Sequence, residues 1–127
     1  MARMSVLVAA AMALGVTAFA HAATAPAATP LLPKDIQAKF GTGKPFHSVT
    51  ASGGASYTMI FKADGTAEMD AVKGKKTSTT GTWRLSDKGY CSKWGKTGTE
   101  HCYTVEQNGK AFDVMDGDHK VIAHWTI

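Results

Sequence analysis

Cysteine is scarce in this chain: Cys91 and Cys102 are the only two in 127 residues. That scarcity excludes a disulfide-dense miniature scaffold and a four-cysteine zinc site, and no Cys-x-x-Cys pair is present for redox exchange. Charge of one sign is also short. The chain has 14 basic and 10 acidic residues, a formal +4, and Arg3 lies in a segment expected to be removed. That excess is too mild for a nucleic-acid surface but allows weak attraction to anionic envelope components. Past residue 20 no apolar run reaches membrane-spanning length, so no transmembrane segment is expected after cleavage. Catalytic signatures are missing as well: no Gly-x-Ser-x-Gly, phosphate loop, zinc motif or plausible nucleophile–base pair occurs. His47, His101, His119 and His124 show no metal-ligand spacing. The expectation is a non-enzymatic protein without cofactor or metal.

What is present begins with an export signal. Arg3 supplies a positive start, Val6 to Ala20 form a short apolar stretch, and Ala20-His21-Ala22 is a small-x-small cleavage site. With no cysteine near that site, a lipid anchor is not expected. The alanine-rich signal suggests a bacterial protein of the periplasm or the medium, where disulfides persist. The chain then divides into a signal at residues 1–22, a flexible Ala/Thr/Pro-rich lead at 23–32, and one domain at 33–127.

The domain opens with a short predicted helix at 33–40. Pro33 suits a first turn, Ile36 and Phe40 share one face, and Gly41 can end it. From Lys44 on the helical period vanishes. Eight short β-favouring runs follow, at 46–50, 57–62, 66–72, 79–85, 89–94, 99–106, 110–115 and 120–127, separated by turn signals.

Each turn predicts a register. A three-residue loop with left-handed Gly65 opposes Phe61 to Ala67 and Met59 to Met69. The turn at 86–89 opposes Leu85 to Tyr90 and Trp83 to Ser92. A two-residue Asn108-Gly109 turn opposes Val105 to Phe112 and Tyr103 to Val114. The loop at 95–98 opposes Cys91 to Cys102, Ser92 to His101 and Tyr90 to Tyr103. These separate assignments agree on one apolar face, which carries Tyr57, Met59, Phe61, Trp83, Tyr90, Trp94, Tyr103, Val105 and Trp125. Val121 is placed on the same face. The fold class is therefore all-β: an antiparallel up-and-down meander of about eight strands closing into a small barrel or half-barrel, with the helix plugging one end.

The cysteines fall on the outer face, opposite each other, beside an expected Lys93–Glu100 charge pair. A disulfide there closes a short loop and contributes roughly 3 kcal/mol in the chain-entropy picture. Its inward neighbours are the candidate site: Trp83, Ser92, Trp94, His101, Tyr103 and Trp125 could hold a small apolar or aromatic ligand at a barrel mouth. His101 is placed inward, either hydrogen-bonded to a hydroxyl or acting on a ligand. Asp116-Gly117-Asp118-His119 reads as a hairpin turn rather than a cation loop. Lys73, Lys75 and Lys76 form a basic loop, either a solvated turn or a contact for an anionic envelope component or an acidic protein. The second functional reading is accordingly a protein-binding module, an inhibitor or envelope-interaction protein acting through that loop.

Gly81-Thr82-Trp83, Cys91-x-x-Trp94 and Cys102-Tyr103 resemble a group of short secreted proteobacterial proteins of uncharacterised function, over roughly residues 32–127. The resemblance implies a lipocalin-like, calycin-like small barrel. Lipocalins carry Gly-x-Trp on their first strand, whereas here it falls on the fourth, so no ligand-binding residue is carried over.

Overall fold

The computed structural model describes residues 28–73 and 77–127. Its helix, α1 (Pro33–Phe40), matches the expected bounds. Pro33 occupies the first turn, where a missing N–H costs nothing. The Asp35 carboxylate accepts a hydrogen bond from the Leu32 backbone N–H at 3.2 Å, satisfying a donor at the helix start. Gly41 ends the helix, its N–H donating to the Gln37 carbonyl at 3.0 Å. The buried face is Ile36 and Phe40, both fully enclosed.

Strand β1 (Thr29–Pro30) precedes the helix. Strands β2 (Phe46–Thr50), β3 (Ser56–Phe61), β4 (Thr66–Ala71), β5 (Ser78–Leu85), β6 (Tyr90–Trp94), β7 (His101–Asn108), β8 (Ala111–Met115) and β9 (Val121–Thr126) follow it. Every sequential pair from β2 to β9 is antiparallel, and β9 returns to pair with β2. The result is a closed eight-strand antiparallel barrel plus one extra strand, consistent with a calycin-like fold. Closure leaves no barrel strand with an unpaired edge along its whole length.

Most expected registers hold. Phe61 opposes Ala67 and Met59 opposes Met69 across a loop in which Gly65 has φ 87°. Leu85 opposes Tyr90 and Trp83 opposes Ser92. Cys91 opposes Cys102, and their disulfide is formed.

The Asn108-Gly109 turn differs. Asn108 still pairs, with Ala111, so the loop is Gly109-Lys110 with Gly109 at φ 63°. Glycine at the first loop position suits a II′ hairpin as well as the expected turn suits I′. Val105 consequently opposes Val114 and Gln107 opposes Phe112. The slide is by two residues, so each side chain keeps its face. On β9, Met115 pairs with Val121 and Val114 with Ala123, leaving Ile122 unpaired in a bulge. Ile122, rather than Val121, then packs against the core.

Three further expectations are corrected. The lead at 23–32 is not flexible throughout, because Thr29 and Pro30 pair with Gln107 and Glu106 of β7 and Leu31 is buried in the core. The cause is tertiary: β6 pairs with β7 only at residues 101–103, and β1 takes the same edge from 106 on. The Glu100 carboxylate is gripped by Arg84 rather than Lys93, in a two-pronged bond with Nη2 at 2.6 Å and Nε at 3.2 Å. A guanidinium matches a carboxylate with two parallel N–H groups, which an ammonium cannot do. Cys91 is fully enclosed while Cys102 is exposed, so the outer-face bridge is covered on one side. His101 opposes Ser92 as expected, but it begins β7, where the ladder with β6 ends, so it stands exposed at the rim rather than within the lumen.

The core is densest at the helix end. Phe40 meets Phe46, Phe112 and Trp125 edge-on, with centroids 4.8–5.0 Å apart. Trp83 stacks on Phe61 at 5.1 Å, and its indole N–H donates to the Lys62 carbonyl at 2.7 Å. A Cβ on Gly41 would come within 2.7 Å of the Trp83 ring, so only glycine lets the helix end press there. Phe40→Ala should therefore cost about 3–5 kcal/mol of unfolding free energy, read as a lower urea midpoint at unchanged slope. Reducing the disulfide should cost about 3 kcal/mol by the same measurement, since its loop is short and its seam has few ladder pairs.

Candidate functional site

The two ends of the barrel differ. The helix and the turns at 62–65, 86–89 and 109–110 occupy one end. The loops at 51–55, 95–100 and 116–120 surround the other, together with Val72 and Lys73 just after β4. Alternation decides which side chains enter the lumen at that open end. On β2 the inward set is Phe46, Ser48 and Thr50, with Phe46 toward the helix. On β3 it is Tyr57 and Met59, on β4 Met69, and on β6 Tyr90, Ser92 and Trp94.

Apart from Phe46, these residues line a cavity of about 120 Å³ open to solvent at the mouth. Tyr103 from β7 and Ile122, Ala123 and Trp125 from β9 complete its wall. No charged side chain among the described residues lines it. The Tyr90 ring lies 5.4 Å from Tyr103 and 5.2 Å from Trp125, centroid to centroid, forming an aromatic wall. Burial, with Tyr103 beside it, pushes the Tyr90 hydroxyl well above its ordinary pKa. Burial, then the Asp116 charge, raises Tyr103 also. Both phenols therefore stay protonated at neutral pH and can donate hydrogen bonds.

The polar content of the lumen is its most informative property. Ser48, Tyr90 and Ser92 are buried and face this cavity. Some other hydroxyls have protein partners: Thr50 accepts from the Ala55 N–H, Thr66 donates to Asp64, and Ser86 accepts from the Gly89 N–H. No side-chain hydrogen bond among the described residues engages Ser48, Tyr90 or Ser92. Among the described residues only the Thr104 hydroxyl is both fully buried and unpartnered, so the Ser48, Tyr90 and Ser92 hydroxyls keep surface open to the cavity and are available to whatever fills it.

Of the six expected site residues, Ser92, Trp94, Tyr103 and Trp125 meet at this cavity. Trp83 does not: it lies toward the helix end, stacked on Phe61 with its N–H already bonded. His101 does not line it either and is exposed at the rim. Tyr57, Met59, Met69 and Tyr90 belong to the expected apolar face but were not singled out as site residues. Ser48 was missed. Its signal was the alternation Phe46, Ser48, Thr50, masked by Val49, an apolar residue that points outward and is 37% exposed. Lys73 is exposed after β4, whereas Lys75 and Lys76 lie outside the described residues.

Two larger hollows, of about 420 and 340 Å³, lie outside the barrel and share Lys88, Thr104 and His119. They flank the place where β1 and β6 meet end to end along β7. Their linings mix Lys88 with Asp87, Glu106 and Asp116. The Thr104 hydroxyl beneath them lacks a partner but has no accessible surface, so nothing bound there touches it. Convergent unpartnered groups, rather than volume, mark the mouth cavity as the better site.

Metal chemistry finds little support. Cys91, Glu100 and Cys102 lie close together, but both sulfurs are in the disulfide and Glu100 is held by Arg84. The 116–119 segment is a hairpin turn as expected. Asp116 Oδ1 accepts from the backbone N–H groups of Asp118 and Lys120, and His119 takes a left-handed φ of 63°. No helix among the described residues is long and apolar enough to cross a membrane. The disulfide fits an oxidising, non-cytoplasmic compartment.

Trp94 owes its position to Gly81. A Cβ at Gly81 would collide with the Lys93 carbonyl and lie 2.9 Å from Trp94 Cε3. Gly81→Ala should part β5 from β6 and displace Trp94, at a cost of about 1–3 kcal/mol. Tryptophan emission and chemical denaturation measure both effects; an unchanged Trp94 environment would contradict the packing described. Compared with protein families, curated proteins and solved structures, the chain matches none.

Proposed function

We propose that this chain is an exported, non-enzymatic binding protein that takes a small apolar or aromatic ligand, or one end of a cell-envelope component, at the barrel mouth. The observation that carries this reading is the uncharged cavity walled by aromatic and thioether side chains, onto which open the hydroxyls of Ser48, Ser92 and Tyr90, engaged by no side-chain hydrogen bond among the described residues. Its volume of about 120 Å³ is well below the 300–1,000 Å³ of pockets for drug-sized ligands. A lipid chain or a haem does not fit whole. A compound of one ring does, and a longer molecule would insert only its end. Export through the signal at residues 1–22, to the periplasm or the medium, accords with the disulfide.

A second reading, a protein-binding module acting through the basic loop, draws support from the open end itself. Val72 is 56% exposed and adjoins Lys73, also exposed, with Lys75 and Lys76 close by in sequence. An apolar side chain set among cations suits an acidic protein or an anionic envelope surface.

Two variants separate the readings. Ser92→Leu puts a larger side chain into the cavity and should weaken small-aromatic binding at least tenfold, by tryptophan quenching or thermal shift. The triple change Lys73→Glu, Lys75→Glu, Lys76→Glu should leave that binding within twofold. If small aromatics change neither emission nor melting temperature, the mouth reading fails. If the triple change instead abolishes capture of an acidic envelope partner, the basic-loop reading takes its place.

A further inference from the structure

The mouth cavity selects by chemistry as well as size. A charged ligand would enter a lumen lined by no charged side chain among the described residues, and burying an unpaired charge is strongly unfavourable. A purely apolar ligand would cut the Ser48, Ser92 and Tyr90 hydroxyls off from water, with no side-chain hydrogen bond among the described residues to replace it. A sugar fails for the opposite reason. Its hydroxyls point in all directions, and some would face Met59, Met69 and Val114, which offer no strong hydrogen bond. The remaining class has an apolar body, a polar edge and no charge.

Shape narrows this class further. Ser48 and Ser92 lie on β2 and β6, which are opposite each other in the eight-strand cycle. A ligand between them meets a hydroxyl from either wall. The Tyr90 ring, held between Tyr103 and Trp125, offers a flat surface for stacking. Resting on the mouth reading above, we infer that the ligand is a small, neutral, single-ring aromatic bearing a hydroxyl group, of the phenol class. Its hydroxyl pairs with Ser92 or Ser48 and its ring lies against Tyr90 and Trp94.

The test uses the disulfide-intact protein at neutral pH and four probes: phenol, benzene, benzoate and benzylammonium. Binding is followed by amide and indole chemical-shift changes at the cavity residues. Phenol should bind about tenfold more tightly than benzene, because benzene leaves the serine hydroxyls unpaired. Benzoate and benzylammonium should bind at least tenfold more weakly than phenol. Ser48→Ala and Ser92→Ala, each removing a single oxygen, should bring the phenol-to-benzene ratio toward one at little change in melting temperature.

If benzene or either ion matches phenol, or if neither serine variant alters the ratio, the phenol-class inference is overturned while the mouth site stands. If none of the four shifts a cavity resonance, the mouth reading falls with it and the lumen holds ordered water only.

Discussion

The pairing of β9 with β2 is the constraint on which the rest of this molecule depends. Ser48 opposite Trp125 and Thr50 opposite Ala123 join the two ends of the meander. Once they join, every inward side chain shares a single lumen, and no strand can slip by one residue without misplacing a whole face. An open sheet with the same alternation would expose Tyr57, Met69, Trp94 and Trp125 to water. Closure makes them a wall.

Closure also forces a division of labour along the barrel axis. At one end Phe40 descends from the helix into Phe46, Phe112 and Trp125, and Gly41 admits the edge of Trp83. That end is filled by its own side chains, and the Trp83 indole N–H is satisfied internally by the Lys62 carbonyl. At the other end no helix descends. Serine and tyrosine hydroxyls replace phenylalanine, and a small uncharged space remains. The disulfide lies behind this space, on the outer side of the seam between β6 and β7. It ties together the strands that carry Tyr90, Ser92, Trp94 and Tyr103 where the ladder spans only Tyr90 to Ser92. A staple read first as structural therefore also holds one wall of the candidate site.

Much of this was legible locally. The Gly65 loop, the 86–89 turn and the cysteine pair each carry their register in a few adjacent residues, and those registers hold. The Asn108-Gly109 turn lies one residue further on, at Gly109-Lys110, which shifts the register by two, because two hairpin types compete there at similar cost. Facing survived that error, since a slide of two preserves the pleat. His101 and Trp83 take the expected partners yet lie away from the mouth cavity, one at the rim and one toward the helix. Alternation tells which face a residue takes but not how far along the barrel it lies.

The sequence alone determined the period-two alternation, the helix at Pro33–Phe40 and the opposition of Cys91 to Cys102. Each depends on neighbours close in the chain, and local sterics settle it. Only the tertiary structure decided that β9 meets β2, that Thr29 and Pro30 extend the edge left by β6, and which inward hydroxyls stay unpaired. Those outcomes depend on strand tilt and ladder length summed around the whole barrel, and on one buried helix face that fills one end and leaves the other open.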